Sequence, residues 1–166
     1  ALNISVPYKT SYTQNILSVE SSINIKGGTS NTSIGGAGVY GVNFTLNNNG
    51  SIWGGDGYNG GVAVSGNEIL IRNYRNVYGG NGLGGSGSSG GAGLSGDDII
   101  VDNYRSIYGG DDVGGTGGSG VTGSNITVHN SGGILGGNGV NGGDGINGSN
   151  LFITNDNMIS GGYGIK

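Results

Sequence analysis

The sequence has no cysteine, a single proline and few charged side chains. Its 166 residues include 6 Lys or Arg, 10 Asp or Glu and 1 His, for a formal net charge of −4. A disulfide framework and a thiolate metal site are therefore excluded, and no basic surface for nucleic acid is expected. No apolar run approaches the roughly 20 residues of a membrane helix, so we predict no membrane span. No signal-peptide pattern precedes Ala1, and if the protein is exported we expect this to be its mature form.

Glycine dominates what is present. There are 43 glycines, far above the average usage of roughly 7%, while hydrophobic residues make up only 33% of the chain. That hydrophobic share is too small for a conventional packed core, yet the apolar residues are too regularly placed for a disordered chain. Composition and length therefore predict one domain of special architecture.

A repeat ends at each of six double glycines. Its pattern is apolar, any, apolar, any, Asn, three of any, apolar, any, Gly, Gly. The three apolar positions and the Asn of this pattern are occupied, copy by copy, by Phe44, Leu46, Asn48, Ile52; Ile69, Ile71, Asn73, Val77; Ile99, Val101, Asn103, Ile107; Ile126, Val128, Asn130, Ile134; and Leu151, Ile153, Asn155, Ile159. A first copy reads Leu17, Val19, Ser21, Ile25, with Ser in place of Asn. A third apolar column is formed by Val39, Val64, Leu94, Val121, Ile146 and Ile165.

Apolar residues two apart place their side chains on one face of a short strand, and such a strand buries that face only against its neighbours. Stacked coils supply those neighbours. We therefore predict an all-β fold, an elongated parallel β-helix (β-solenoid) of about six coils over residues 15–166. Residues 1–14 form a separate N-terminal strand in this prediction.

An Asn at the same position of each coil has to be explained, because burying an amide costs free energy unless its donors and acceptor are paired. A ladder in which each amide bonds to its copy in the next coil meets that demand. The alternative is an ordinary turn-forming Asn. Both interpretations of Asn48, Asn73, Asn103, Asn130 and Asn155 are structural.

Glycines in the second half of each unit recur every third residue, as at Gly136, Gly139, Gly142, Gly145 and Gly148. This period suits an extended helix with three residues per turn, in which glycine leaves one bare edge for close backbone packing. We predict packed polyglycine II segments or glycine-rich β-arcs, with a flexible linker as the alternative.

The residues just before the double glycines should point outward. They include Trp53, Tyr78 and Tyr108, and beside them run Tyr74-Arg75 and Tyr104-Arg105. Such a strip of Tyr, Trp and Arg has the composition of protein interfaces and sugar sites. The alternative is aromatic stacking that only stabilises the strands.

Catalysis is not expected. The single His129 falls in an outward column that reads Glu20, Asn47, Arg72, Asp102, His129 and Thr154, and no paired carboxylates accompany it. The segment Gly54 to Asn59 comes near the calcium-binding nonapeptide of RTX proteins but carries Asn59 at the Asp position. Asp97-Asp98 and Asp111-Asp112 are weak Ca²⁺ candidates, although solvated corner charges are favoured. We predict no enzyme activity, no metal and no cofactor.

The N-terminal segment alternates Leu2, Ile4 and Val6 before Pro7. Such a strand is able to cover its own first coil or to pair with another molecule. The last unit lacks most of its glycine-rich return, and open coils invite further pairing. We therefore predict head-to-tail assembly in which this strand completes a neighbouring subunit.

The segments "GGVAVSGNEILIRNYRNVYGGNG" and "GGDGINGSNLFITNDNMISGGYG" resemble the glycine-rich repeats of bacterial autotransporter passenger domains and related surface adhesins. That resemblance implies a right-handed parallel β-helix acting in adhesion, aggregation or biofilm formation. The same patterns are similar to the tip adhesins of T-even-like phage tail fibres, whose loops contact host receptors. We predict a secreted, extracellular structural or adhesive protein that assembles into a surface or biofilm-matrix filament. A receptor- or glycan-binding adhesin is the alternative.

Overall fold

The structure, a computed structural model, describes residues 2–4 and 15–164. Within these residues there is no helix, and every strand pairs with its neighbours in parallel. Val6 and Ile165 of the sequence predictions lie outside the described residues. The prediction of an all-β, parallel β-solenoid is confirmed.

Most strands belong to two long sheets. The first sheet contains β1 (Leu2–Ile4), β2 (Asn15–Val19), β5 (Val39–Asn48), β8 (Val64–Asn73), β10 (Leu94–Asn103), β13 (Val121–Asn130) and β16 (Ile146–Asn155). The second contains β3 (Asn24–Lys26), β6 (Ser51–Trp53), β9 (Asn76–Tyr78), β11 (Ser106–Tyr108), β14 (Gly133–Leu135) and β17 (Met158–Ser160). Two small sheets pair β4 (Ser30–Ile34) with β7 (Gly57–Asn59), and β12 (Asp112–Thr116) with β15 (Gly139–Asn141).

Successive units of the repeat form successive rungs of both long sheets. The second sheet has six strands, and the six rungs enclose about five turns. The predicted number of about six coils is therefore too high by one, because the last unit adds a rung without completing a turn.

The ten-residue strands of the first sheet turn a corner in the middle. A residue in the left-handed region sits at the same place in each of them: Asn43, Glu68, Asp98, Asn125 and Asn150, with φ between 52° and 55°. Asn and Asp, which tolerate this conformation better than other side chains, occupy four of the five positions, and Glu68 is the exception. The kink reverses the alternation of the strand, so that Val39 before it and Phe44 after it both face the core and are 0% and 1% exposed.

The apolar core is a set of columns that run through the stack. Its members are Val19, Val39, Phe44, Leu46, Ile52, Ala63, Val64, Ile69, Ile71, Val77, Leu94, Ile99, Val101, Ile107, Val121, Ile126, Val128 and Ile134. Because each column repeats in every rung, each inner side chain is covered on both sides by its own copies. Of the third apolar column predicted from the sequence, Val39, Val64, Leu94 and Val121 belong to this core and Ile146 packs against it.

A second core is made of glycine backbone alone. Each coil has two glycine-rich segments, the double glycine and a second segment later in the unit, and hydrogen bonds alternate between them along the stack. The amide of Gly110 donates to the carbonyl of Gly91, and the amide of Gly118 donates to the carbonyl of Gly110, both at 2.8 Å. The same pattern links Gly28, Gly36, Gly55, Gly61, Gly80, Gly91, Gly110, Gly118, Gly137, Gly143 and Gly162. The glycine-rich segments are therefore packed, and the flexible-linker alternative is wrong.

This close approach of backbones predicts that Gly110→Ala destabilises the protein by about 3 kcal/mol or more. A Cβ at Gly110 would overlap the carbonyl oxygen of Gly80, which belongs to the rigid backbone of the previous coil. Gly28→Ala is the matched control, because nothing lies within 4 Å of a Cβ at that double glycine. Urea unfolding of both variants measures the difference, and equal stability of the two would contradict the glycine core.

Candidate functional site

The predicted Asn column forms a continuous hydrogen-bonded ladder. The Nδ2 of each Asn donates to the Oδ1 of the Asn in the next rung, with distances of 2.8, 2.8, 2.7 and 2.7 Å from Asn48 through Asn73, Asn103 and Asn130 to Asn155. In three of the rungs the second hydrogen of the amide is used by turn backbone: Nδ2 donates to the carbonyl two residues on, at 2.9 Å for Asn103, 2.8 Å for Asn130 and 2.9 Å for Asn155. The column is thus structural, and it holds the turn between the two long sheets.

The ladder stops at Asn48, where the first copy of the repeat departs from the expected alignment. Val19, and not Ser21, occupies the position next to Asn48 in the sheet. The spacing predicted Ser21 there, but the turn from β2 to β3 holds two residues more than the later turns, which shifts β2 while leaving Ile25 beside Ile52. Since Val19 has no polar side chain, the buried Oδ1 of Asn48 has no hydrogen-bond partner among the described residues.

We expect Asn103→Ala to lower the free energy of unfolding by about 2–4 kcal/mol, because it removes the ladder bonds to the buried amides of Asn73 and Asn130 and leaves Asn73 Nδ2 and Asn130 Oδ1 with only bonds of 3.4 and 3.3 Å to backbone. Asn155→Ala, at the exposed end of the ladder, serves as the control and should cost about 1 kcal/mol. Thermal or urea unfolding measures both losses. If the two substitutions cost the same, the ladder is not what stabilises the turn.

The outward column with His129 is an exposed charge cluster. Asp102 Oδ1 lies 2.8 Å from His129 Nδ1, and Asp102 Oδ2 lies 3.9 Å from Arg72 Nε. All three side chains are open to solvent, where such pairs contribute roughly 0–1 kcal/mol. The cluster lies on a flat strand surface, and the absence of enzyme activity stays a prediction.

Three of the four acidic side chains considered for calcium are engaged along the stack. The fourth, Asp112, is buried and not a solvated corner charge: its Oδ1 accepts from the amide of Gly114 at 2.9 Å, and its Oδ2 has no hydrogen-bond partner among the described residues. Asp97 Oδ1 accepts from the amide of Ser124 at 3.0 Å, and Asp98 Oδ1 accepts from Asn125 Nδ2 at 3.0 Å. Asp111 Oδ1 accepts from the amide of Asn138 at 2.6 Å. Over the ranges 2–4 and 15–164, no group of three or more His, Cys, Asp or Glu side chains is placed to hold a metal ion.

The predicted contact strip separates into two aromatic stacks. Trp53, Tyr78 and Tyr108 stack along the second sheet with centroid distances of 5.5 and 5.0 Å and interplanar angles of 10° and 5°. Tyr74 and Tyr104 form the other stack, at 5.0 Å and 2°. Arg75 and Arg105 are exposed next to this second stack, at the turn between the two long sheets. Of the seven residues, only Trp53, Tyr78 and Tyr108 line the groove beside their stack.

A groove runs beside the stack of Trp53, Tyr78 and Tyr108, parallel to the solenoid axis. It has a volume of about 400 Å³. Its floor is formed by the first glycine of three successive double glycines, Gly54, Gly79 and Gly109. Its opposite wall is a row of Asp and Asn side chains: Asp56, Asn81 and Asp111. Sequence reasoning missed this wall, although the recurring order of aromatic, Gly, Gly and Asp or Asn marks it in three consecutive units.

Hydrogen bonds to the next coil fix the Asp and Asn wall. The Oδ1 of Asp56 accepts from the amide of Asn81 at 2.9 Å, and the Oδ1 of Asn81 accepts from the amide of Asp111 at 3.0 Å. The second oxygen of Asp56 pairs with Lys26 Nζ at 3.0 Å. Both oxygens of Asp56 are therefore committed, whereas Asn81 and Asp111 each commit one atom and keep the other end at the groove.

The surroundings of Asp56 shift its pKa. Partial burial opposes its ionisation, but the amide of Asn81 and the ammonium group of Lys26 outweigh that effect and hold the pKa of Asp56 below the usual aspartate value. The folded state therefore favours the carboxylate, and Asp56 contributes stability that is present above its ordinary pKa.

Between the ordinary aspartate pKa of about 3.9 and the lower pKa in the fold, the unfolded chain binds more protons than the folded chain. Stability is therefore lost as the pH falls through this window. We expect Asp56→Asn to reduce the loss of stability below about pH 4, and Lys26→Met to reduce it less because the Asn81 amide remains. Urea midpoints measured against pH test this, and parallel curves for Asp56→Asn and the unsubstituted protein would contradict it.

Comparison of the chain with protein-family models, curated proteins and solved structures finds no match. In the part of the chain that the structure describes, no helix is long and apolar enough to cross a membrane.

Proposed function

We propose that this chain is an extracellular structural repeat protein whose copies stack end to end into a filament, at a cell surface or in a biofilm matrix. Its resemblance to glycine-rich surface adhesins and its richness in Asn and Gly support the setting. The exposed apolar side chains on the outer faces of the first and last rungs support the proposed contact between copies.

The observation that carries the proposal is the exposure of core positions in the last rung. Ile153 is 41% exposed, whereas Val128 and Val101 in the same column are fully buried. Leu151 is 37% exposed against 1% for Ile126 in the rung below. These side chains have apolar cover on one side only.

The first rung offers the complementary surface in the same register. If a copy adds one more rung to the sheets, Ile153 meets Leu17, Phe152 meets Ile16 and Ile159 meets Ile25. Ile16 and Phe152 are 64% and 65% exposed in the single chain, so the junction buries apolar surface that otherwise faces water. Parallel strands at both ends allow the two long sheets to continue.

The Asn ladder does not continue across this junction, because Asn155 would meet Val19. Asn155 Nδ2 keeps its bond to the carbonyl of Asn157 at 2.9 Å, so its amide is not left without a partner. Leu2–Ile4 pairs with Val39–Gly41 of its own chain, which is the capping role considered for the N-terminal strand. In the proposed filament this strand belongs to its own subunit's first rung and contacts the neighbour from there.

Ile153→Lys is expected to abolish the association, because it places a charge in the buried apolar contact. Thr154→Lys is the matched control: it adds the same charge to the same strand but on the outward face. Sedimentation velocity over a range of concentrations, with electron microscopy, should show filaments for the unsubstituted chain and for Thr154→Lys, and monomers for Ile153→Lys. A chain that stays monomeric at high concentration rules the proposal out.

The direction of stacking has its own test. Leu17→Lys blocks the first rung and leaves the last rung free, whereas Ile153→Lys does the reverse. A mixture of the two variants should therefore form dimers and nothing longer, while each variant alone stays monomeric. Dimers of either variant alone would indicate contact between like ends and contradict head-to-tail stacking.

A glycan-binding adhesin is the second candidate, because the groove beside Trp53 carries hydrogen-bonding groups that the protein itself does not use.

A further inference from the structure

We propose that the groove between the stack of Trp53, Tyr78 and Tyr108 and the wall of Asp56, Asn81 and Asp111 binds a neutral polysaccharide chain lying parallel to the solenoid axis. This inference does not depend on end-to-end stacking, because the groove lies on the side of the solenoid. Its volume of about 400 Å³ is within the range of small-ligand sites.

The orientation of the stacked rings determines which of their atoms a ligand can contact. Each ring lies nearly parallel to its neighbour in the next rung, so both faces of Tyr78 are covered by Trp53 and Tyr108. A sugar therefore cannot lie flat on Tyr78. What the wall offers is its outer edge, with the indole N–H of Trp53 and the phenol groups of Tyr78 and Tyr108.

These polar groups are free for a ligand. The indole N–H and both phenol groups make no hydrogen bond to the described residues, although all three residues are only partly exposed. On the opposite wall, the Oδ1 of Asn81 and of Asp111 is committed to the next coil, which leaves Asn81 Nδ2 and Asp111 Oδ2 for a partner. The groove thus has two facing rows of fixed donors and acceptors.

The spacing within each row identifies a polymer as the ligand. Rungs repeat about every 4.8 Å along the axis, a distance close to the length of one sugar unit in an extended glycan. A chain of hexoses placed along the groove would present hydroxyl groups to both rows at every rung. An extended peptide in the same place would run across the strands, with its backbone groups out of step with the rungs.

The charge of the groove selects against acidic glycans. Lys26 is paired with Asp56 at 3.0 Å, so the remaining charge is the carboxylate of Asp111. The chain as a whole carries a formal net charge of −4. A uronic or sulfated polysaccharide would therefore be repelled, whereas a neutral one would not.

Trp53 is the one tryptophan of the chain, so its fluorescence reports on this groove alone. We expect at least one neutral hexasaccharide, from a panel of cellohexaose, N-acetylchitohexaose and mannohexaose, to change the Trp53 emission saturably. A heparin hexasaccharide should have no effect. If no neutral hexasaccharide changes the emission, or if heparin binds as well, the proposal is wrong.

The double variant Tyr78→Phe/Tyr108→Phe keeps the stacked rings and removes only the two hydroxyl groups. We expect it to raise the Kd at least tenfold. The matched control, Tyr74→Phe/Tyr104→Phe, makes the same chemical change in the stack outside the groove and should leave the Kd unchanged. Equal affinity of both double variants would mean that the groove is not the binding site.

The titration is repeated in the Ile153→Lys variant to separate the groove from the stacking of copies. Unchanged binding in this variant supports a site on the single chain, whether or not the unsubstituted chain forms filaments. Loss of sugar binding together with loss of association would overturn the proposal.

Discussion

Every part of this fold depends on the parallel stacking of one repeat directly on the next. Rungs that lie about 4.8 Å apart place each side chain against its own copies. Only residues that pack well on themselves can fill such columns. Aliphatic side chains, amides, stacked aromatic rings and bare glycine backbone all meet this condition, and they make up the ladder, the two cores and the aromatic wall.

For charged residues the condition is harder to meet, because like charges directly opposite each other destabilise a sheet. The wall of the groove obeys this: the carboxylates of Asp56 and Asp111 are separated by the neutral amide of Asn81. In the outward column the carboxylate of Asp102 lies between Arg72 and the imidazole of His129, with no second carboxylate beside it. Like charges do follow one another at exposed corners, where Arg75 lies at the same position as Arg105 in the next rung and Glu68 at the same position as Asp98.

The sequence alone predicted the columns because spacing is what stacking conserves. The Asn positions, the apolar positions and the residues before the double glycines all lie in the register that the repeat indicated. The shift of β2 was missed, because an alignment anchored on the double glycine at Gly27 cannot see two extra residues in the turn before Ile25. The corner at Asn43 was also missed, since it changes the alternation of the strand without changing the period of the repeat.

The groove was only half predicted. Its aromatic wall could be predicted from composition, because Trp and Tyr are common in binding sites. Asp56, Asn81 and Asp111 have the composition of ordinary loop residues, and only the fold shows that they line the same groove. The predicted strip also joined two aromatic stacks that are separate in the structure, because neighbours along the chain were taken as neighbours on the surface. Which way a corner residue such as Tyr74 points depends on the turn, and the repeat pattern does not contain that information.

The Asn ladder gives the solenoid a net side-chain dipole along its axis. From Asn48 to Asn155 every side-chain amide points the same way, so the amide dipoles add along the axis and polarise one another. Turning one inner amide around would set two oxygens against each other on one side and two NH₂ groups on the other. A single reversal is therefore heavily penalised, and the orientation of the column is a property of all its members together.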